Sequence, residues 1–224
     1  MKNKKSKSSP RNQRQQQKNH TRATILEVAR SQLESHGYEA TTIRSIAKAA
    51  GVGTGTVLLH FESKESLLYS AFYDDLQAIS DTALAQVLVG APLQIQLSGV
   101  IAHFFTSFAQ RPALYQALLQ HSLLSTGPWG DRFRAQVHGM ALRIIELYEA
   151  ARARGELAAH IQPPVATLAF FSFYYFVLID AAKAGFQPVA DYTGRFNLLL
   201  AQHLDGLRPL PPAAKITSTR RAKS

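Results

Sequence analysis

Residues 42–61 of this 224-residue chain read TIRSIAKAAGVGTGTVLLHF. The stretch predicts two short helices joined by a tight turn, because Thr42 is a favourable N-cap and Gly51 a natural helix end. Four apolar side chains are expected to bury the junction: Ile46, Ala47, Val52 and Val57. The second helix, over about residues 54–60, carries small and polar residues, so it can enter a DNA major groove as part of a helix-turn-helix. The alternative is a helix pair that serves only packing.

The rest of the chain repeats its apolar residues at helical spacing, and no segment shows sustained alternation. A first helix is predicted over about residues 21–36, ended by Gly37, and Ser63 is expected to cap a long fourth helix. Prolines mark the starts of later helices, and a loop with Gly127, Pro128 and Gly130 is expected before the seventh. We therefore predict an all-α fold of about nine helices.

The positive charge is concentrated at the two ends of the chain. The net charge is +10, and residues 1–22 hold eight Lys or Arg and no acidic residue. Residues 205–224 hold five basic residues and one Asp, which leaves 12 basic and 14 acidic residues between them. Residues 1–18 and 207–224 are therefore predicted to be disordered basic segments. Such a segment either keeps a protein soluble or binds DNA phosphates.

Several protein classes are disfavoured by what the sequence lacks. The chain has no Cys, so it has no disulfide and no thiolate metal site, which fits a reducing cytoplasm. No apolar core follows the basic N-terminus, as a signal peptide would require. The longest strongly apolar run, Val165–Ile179, is shorter than the roughly 20 residues that span a bilayer, so we predict a buried helix and no membrane association. No short catalytic motif is present, and we expect no enzyme activity, cofactor or metal.

The motifs extend well beyond the helix pair. Between residues 23 and 72 the chain carries, in order, GY at 37–38, ATT at 40–42, IA at 46–47, AGV at 50–52, GTV at 55–57, HF at 60–61 and SKE at 63–65. These residues and their spacing resemble the DNA-binding domain of the TetR family of regulators. The resemblance implies a three-helix DNA-binding domain over residues 19–79. It also implies a helical effector-binding and dimerisation domain over residues 80–206.

The resemblance also implies DNA contacts, position by position. Thr42 and Arg44 match positions that meet a phosphate or a base edge, and Lys64 matches a phosphate-binding lysine. The positions that match the groove-facing surface of the recognition helix are Thr54, Gly55, Thr56, Leu59 and His60. The chemistry agrees, because an Arg can donate two hydrogen bonds to guanine and a Thr methyl can meet a thymine methyl.

The chain departs from the family at Leu58, where a tyrosine is usual. Leucine has no hydroxyl to donate to a phosphate, so one backbone contact is expected to be lost. We hypothesise that the basic arm before residue 22 compensates for that contact.

The second domain is expected to supply dimerisation and an effector pocket, as the resemblance implies. The eighth helix is apolar nearly all round, which favours a subunit interface, although a central helix buried in a monomer is the alternative. The expected interface residues are Phe171, Tyr175, Leu178, Phe196 and Leu200. An apolar pocket with a few polar anchors is expected among helices four to eight. Its candidate residues are His103, Phe104, Phe108, Leu118, His121, Trp129, Met140, Tyr148, Tyr174 and Asp180.

These observations predict a cytoplasmic, homodimeric, sequence-specific regulator of transcription. Repression is expected, with release from a palindromic operator by a small hydrophobic or aromatic effector, and activation is left open. Three rivals are a helical enzyme without a short motif, an architectural DNA-binding protein without sequence preference, and a peripheral membrane protein docked through its tails.

Overall fold

The computed structural model describes residues 10–209, with side chains from residue 12 onward. In this part of the chain every regular element is a helix, which confirms the all-α prediction. The helices are α1 (Pro10–Ala40), α2 (Ile43–Ala49), α3 (Thr54–Phe61), α4 (Lys64–Ala85), α5 (Leu93–Gln110), α6 (Pro112–Ser122), α7 (Gly127–Ala153), α8 (Pro163–Lys183) and α9 (Val189–Leu207). The remaining parts of the two predicted disordered segments, residues 1–9 and 210–224, lie outside the described residues.

The first helix begins earlier than predicted, at Pro10 rather than near residue 21. Residues 10–18, which were expected to be disordered, are therefore helical. Proline is tolerated in a first helical turn, and no glycine or further proline follows it before Gly37. The side chains of residues 12–20 are all exposed, so this extension projects from the body without packing on it. The backbone kinks at Gly37, where φ is +77°, close to the predicted helix end.

The first three helices and the start of α4 enclose one small apolar core. Ile25 of α1, Ile46 of α2 and Phe61 of α3 are fully buried in it. Ser63 caps α4 by accepting a hydrogen bond from the Ser66 amide at 3.1 Å, as its position in the sequence suggested. The core fixes α2 and α3 against α1 and leaves the outer surface of α3 free.

The seventh helix differs from the prediction, since its first turn includes residues expected to form a loop. It begins at Gly127, and Pro128 occupies the first turn, where no intrahelical amide hydrogen bond is needed. Gly130 lies against the backbone of Ser125, and a Cβ at this position would meet the Ser125 carbonyl carbon at 2.7 Å. Close backbone approach, rather than turn formation, accounts for this glycine.

Helices α4 to α9 form the second layer of the molecule. α5 packs against α9 and α4, and α8 packs against α7, α9 and α6. Among the described residues, α8 is the one helix that is long and apolar enough to cross a membrane. Its most apolar window is nearly half buried, and its packing on three helices is that of a core helix.

Candidate nucleic-acid interface and apolar cavity

The helix-turn-helix presents most of the predicted DNA-contact residues to solvent. Five of them are exposed: Thr42, Arg44, Thr54, Gly55 and Leu59. Three others are half-buried: Thr56, His60 and Lys64. Leu59 is 78% exposed, which is unusual for a large apolar side chain on a short helix. An apolar residue at this place is available to contact a base methyl group.

The N-terminus of α2 is fixed by a reciprocal capping box. The Thr42 hydroxyl oxygen accepts a hydrogen bond from the Ser45 amide at 3.0 Å, and the Ser45 hydroxyl oxygen accepts one from the Thr42 amide at 3.1 Å. Ser45 also donates to Gln32 Oε1 of α1 at 2.7 Å. The cap therefore fixes the start of α2 relative to α1 and positions the exposed Arg44 beside it.

His60, at the end of the recognition helix, is electrically neutral near pH 7. Burial lowers its pKa below the usual 6.5, and the charges of Lys18 and Arg22 lower it further. These charges also bring positive potential from α1 close to α3. Leu58, where the chain departs from the family pattern, is exposed, and its side chain has no polar group that could bind a phosphate.

Lys64 belongs to a small cluster that joins the DNA-binding half to α6. Its ammonium lies 3.8 Å from the centre of the Tyr38 ring, a cation–π contact. The Tyr38 hydroxyl donates to Glu65 Oε1 at 2.8 Å. The centre of the Tyr38 ring lies 4.4 Å from the centre of the His121 ring, with the two planes tilted. Lys64 is thus held at the base of α4, next to the helix-turn-helix.

A second contact between the halves is formed by charged side chains around Asp75 of α4. Arg30 of α1 donates to both Asp75 oxygens at 2.8 Å. Arg111, between α5 and α6, donates to Asp75 at 2.7 Å and to Glu34 at 3.0 Å. Arg111 also donates to the Tyr115 hydroxyl at 3.1 Å. Burial alone would raise the pKa of Asp75, but the two arginine hydrogen bonds outweigh it and hold that pKa below 3.8.

The second layer contains a partly open apolar cavity of about 110 Å³. Residues from α4, α5, α6, α7 and α8 line it, and most of them are aliphatic or aromatic. Gln136 of α7 is one of the few polar ones, and its Oε1 accepts a hydrogen bond from the Tyr69 hydroxyl of α4 at 2.9 Å. The cavity wall is therefore connected to α4 through Gln136 and to the Asp75 cluster through Tyr115.

The structure places the predicted pocket residues in two groups. Five line the cavity: Phe104, Phe108, Leu118, Met140 and Tyr174. Five lie outside its lining: His103, His121, Trp129, Tyr148 and Asp180. Of this second group, His121 stacks on Tyr38, Trp129 packs edge-on against Tyr69, Tyr148 is buried beside His203, and Asp180 forms an exposed ion pair with Arg195. Of the three side chains expected as polar anchors, His121 and Asp180 are thus engaged elsewhere, and His103 also lies outside the lining.

Of the residues predicted for the dimer interface, Phe171 and Tyr175 are half-buried, and Leu178, Phe196 and Leu200 are buried. Phe196 and Leu200 are fully buried within the chain, where the Phe196 ring packs edge-on against Phe170. Three others line the cavity: Phe171, Tyr175 and Leu178. The exposed apolar side chains of α8 and α9 are instead Val165, Leu168, Phe176, Ile179 and Leu198. On α8 these exposed side chains lie about a quarter turn from the predicted interface residues, and on α9 Leu198 lies opposite to Phe196 and Leu200.

Several residues that line the cavity were not among the predicted ones. They include Leu76, Ser80, Ile101, Tyr115, Phe133 and Gln136. Leu76 belongs to the apolar stripe of α4, and Phe133 and Met140 repeat at helical spacing along α7. Their place in an apolar stripe was the available signal in the sequence. It does not distinguish a cavity wall from a packed core, because both have the same periodicity.

Comparison with known proteins agrees with this architecture. The sequence profile described as bacterial regulatory proteins, tetR family, matches residues 25–71. The transcriptional repressor KstR2 of Rhodococcus jostii is 41% identical over 58 residues, which are 25% of this chain and 28% of KstR2. The repressor AcnR of Corynebacterium glutamicum is 34% identical over 74 residues, which are 31% of this chain and 39% of AcnR. The matches thus span well under half the length of either relative.

The fold extends the similarity to the second layer. The structure of FadR from Bacillus subtilis in complex with stearoyl-CoA superposes with a TM-score of 0.64 over 83% of this chain and 99% of FadR. At 19% identity this likeness is one of fold. The matched residues 25–71 cover α2, α3 and most of α1 outside its exposed extension, and they include the capped helix pair described above. Residues 25–71 of this chain thus form a DNA-binding domain of the TetR family of bacterial regulatory proteins.

Proposed function

We propose that this protein is a sequence-specific transcriptional repressor that binds a palindromic operator as a homodimer and is released by a small hydrophobic or aromatic effector. One observation carries the proposal: the chain has both an exposed recognition helix, α3, and an apolar cavity. Helix α4 contributes to both sites, because it begins with Lys64 and lines the cavity further along. The repressors KstR2 and AcnR match its DNA-binding half, and the FadR structure with stearoyl-CoA matches its fold.

The DNA-contact residues are proposed by position and exposure. Arg44 and Thr54 stand exposed at the starts of α2 and α3, where helix N-termini also favour phosphate. Lys64 stands at the start of α4. Leu59 and the small Gly55 offer an apolar and close-fitting surface to the groove. A soluble, cytoplasmic, non-enzymatic protein is the corresponding proposal for location and activity.

The homodimer is proposed to form through the exposed face of α8 and α9. Phe176 is 66% exposed and Leu198 is 75% exposed, and large apolar side chains grouped on one face mark an interaction surface. A two-fold dimer would present two α3 helices to two half-sites, which explains why a palindrome is the expected operator.

Release is proposed to work through α4. The cavity contacts this helix at Leu76 and Ser80, the Asp75 cluster ties the same helix to α1, and its first residue is Lys64. A ligand that binds best when α4 is displaced shifts the population toward dimers whose α3 helices no longer fit the half-sites.

The experiment that tests this proposal is selection of binding sites from a random duplex library at near-physiological salt. Recovery of a palindrome is expected. Arg44→Ala should weaken binding to it by about 1–3 kcal/mol and relax the preference at one position. Arg143→Ala, an exposed position on α7, is the matched control and should bind as the unaltered chain does. Salt-sensitive binding without a recovered motif would contradict the proposal and favour the architectural alternative.

A further inference from the structure

The cavity contains few polar groups and no charged side chain among the described residues that line it. Besides its aliphatic residues and phenylalanines it is lined by the polar side chains of Ser80, Ser122 and Gln136 and by the tyrosines Tyr115, Tyr174 and Tyr175. A charged ligand group inside this space would lose its hydration without gaining a counter-ion, which is strongly unfavourable.

Three of these six polar side chains already have partners. The Gln136 amide accepts from Tyr69 and donates to Gln77 Oε1 at 3.1 Å. The Tyr115 hydroxyl accepts from Arg111 at 3.1 Å. The Ser80 hydroxyl donates to the Met140 sulfur at 3.3 Å. These contacts fix the wall of the cavity, although the Tyr115 hydroxyl only accepts and has no acceptor for its own proton among the described residues.

The side chains of Ser122, Tyr174 and Tyr175 form no hydrogen bond within the part of the chain that the structure describes, and of the two tyrosines Tyr174 is the more buried. Its side chain is only 8% exposed and lines the cavity, packed near Phe104 and Phe105 with ring centres 6.0 and 6.2 Å away. Its hydroxyl forms no hydrogen bond within the part of the chain that the structure describes. Burial raises the pKa of Tyr174 well above 10, so the hydroxyl keeps its proton over the whole physiological range. It is a donor without a partner inside an apolar space, which is unfavourable unless something accepts from it.

We infer that the part of the effector held in the cavity is uncharged and apolar and carries one hydrogen-bond acceptor, such as a carbonyl oxygen, that receives the Tyr174 hydroxyl proton. This inference rests on the proposed function and specifies the ligand of the same site. Anionic or cationic groups of a larger effector would remain outside the cavity. The cavity, at about 110 Å³, is smaller than the roughly 150 Å³ that holds benzene, so an aromatic effector would have to extend beyond it or displace its walls.

Three aromatic probes of equal carbon number separate the effect of a hydrogen-bond acceptor from the effect of a charge: ethylbenzene, acetophenone and phenylacetate. They share a phenyl ring and differ in having no acceptor, a neutral acceptor and an ionised carboxylate at neutral pH. Isothermal titration of the full chain should give the tightest binding for acetophenone, weaker binding for ethylbenzene, and binding of phenylacetate weaker than that of acetophenone by more than about tenfold.

A pair of tyrosine variants tests the hydroxyl itself. Tyr174→Phe should lower the affinity for acetophenone by about fivefold, the equivalent of one neutral hydrogen bond, and leave ethylbenzene binding unchanged. Tyr148→Phe is the matched control. Tyr148 is also a buried tyrosine without a hydrogen-bond partner, but it lies outside the cavity lining, so neither affinity should change.

The outcomes separate the inference from the proposed function. Phenylacetate binding as tightly as acetophenone, or Tyr174→Phe weakening both neutral probes equally, would overturn the inference and leave an effector cavity in place. If none of the three probes binds to a protein that still selects an operator, the effector site itself is wrong, and the inference fails with it.

Discussion

Gly130 shows how a single hydrogen atom can be required by backbone packing. A Cβ at this position would approach the Ser125 carbonyl group more closely than any ordinary van der Waals contact, and the obstacle is backbone rather than a flexible side chain. Gly130→Ala should therefore destabilise the protein by about 1–3 kcal/mol, as overpacking does. Urea unfolding followed by circular dichroism at fixed protein concentration measures the change.

The control lies on the same helix. Gly139 has no atom within 4 Å of its would-be Cβ, and its backbone is helical. Gly139→Ala should stabilise the protein by up to about 1 kcal/mol, because alanine loses less backbone entropy in a helix. If both variants shift stability in the same direction, the close approach of Ser125 is not what selects glycine at position 130.

Asp75 gives a prediction about pH. Its pKa in the folded chain is held below 3.8 by hydrogen bonds from Arg30 and Arg111, which outweigh the effect of burial. A depressed carboxyl pKa contributes stability that is fully present above about pH 4 and is lost as the pH falls through the folded value. Asp75→Asn should lower the free energy of unfolding by about 1–2 kcal/mol at neutral pH, after allowance for the partial exposure of both arginines. Below the folded pKa this difference should shrink.

Unfolding curves at neutral pH and at acidic pH check both parts of that expectation. Asp81→Asn, at an exposed position on the same helix, is the control and should change stability by less than about 0.5 kcal/mol. A difference between Asp75→Asn and the unaltered chain that does not diminish in acid would show that the carboxylate charge is not the stabilising feature.

At the scale of elements, the local signals in the sequence were reliable and the tertiary ones were not. The N-caps Thr42 and Ser63 lie where predicted, because capping depends only on neighbouring residues. The exposed face of α8 was misplaced, because a helix that is apolar nearly all round has no polar stripe to set its rotation. The burial of Phe196 and Leu200 follows from packing of α9 on α5, which periodicity within α9 cannot specify. For the same reason only five of the ten predicted pocket residues line the cavity.

The N-terminal extension of α1 leads to a prediction about salt. Arg14 and Lys18 are exposed on it, and the Lys18 charge reaches His60 of the recognition helix. If the extension binds phosphates, the double change Arg14→Gln and Lys18→Gln should reduce the slope of log affinity against log salt by about 2. Operator titrations at several salt concentrations measure this slope. An unaltered slope would show that the extension does not bind phosphates and serves solubility alone.

The contacts of Arg111 connect three helices and predict a loss of coupling. This side chain holds Glu34 of α1, Asp75 of α4 and the cavity residue Tyr115 of α6. Arg111→Met should leave acetophenone affinity within about twofold but reduce its effect on operator affinity by about fivefold or more, since typical coupling energies are 1–3 kcal/mol. Arg143→Met is the control. Equal release of operator from both variants would mean that the signal passes by another route, such as Gln136 and Tyr69.

At the scale of the whole molecule, the proposed function makes the two sites depend on each other, because one helix contributes to both. The cavity and the Asp75 cluster contact the middle of α4, and Lys64 begins it. Filling the cavity therefore acts on the same body that positions the recognition helix, and reciprocity requires that operator binding lower effector affinity by the same factor. Neither site needs to change its own chemistry for the protein to respond.

The exposed apolar side chains of α8 and α9 form the proposed dimer interface, on which the reading of a palindrome would depend. Phe176 and Leu198 are exposed on neighbouring helices, and burying them against a second copy would remove them from water. Phe176→Glu with Leu198→Glu should convert the dimer to a monomer in sedimentation experiments, because four carboxylates would be brought together at a two-fold interface. Affinity for the full palindrome should fall by about a hundredfold or more, since two linked half-site contacts become one. Val89→Glu, which places the same charge at a 99% exposed position between α4 and α5, should change neither property. A double variant that remains dimeric would place the interface elsewhere and would leave this apolar face to another partner.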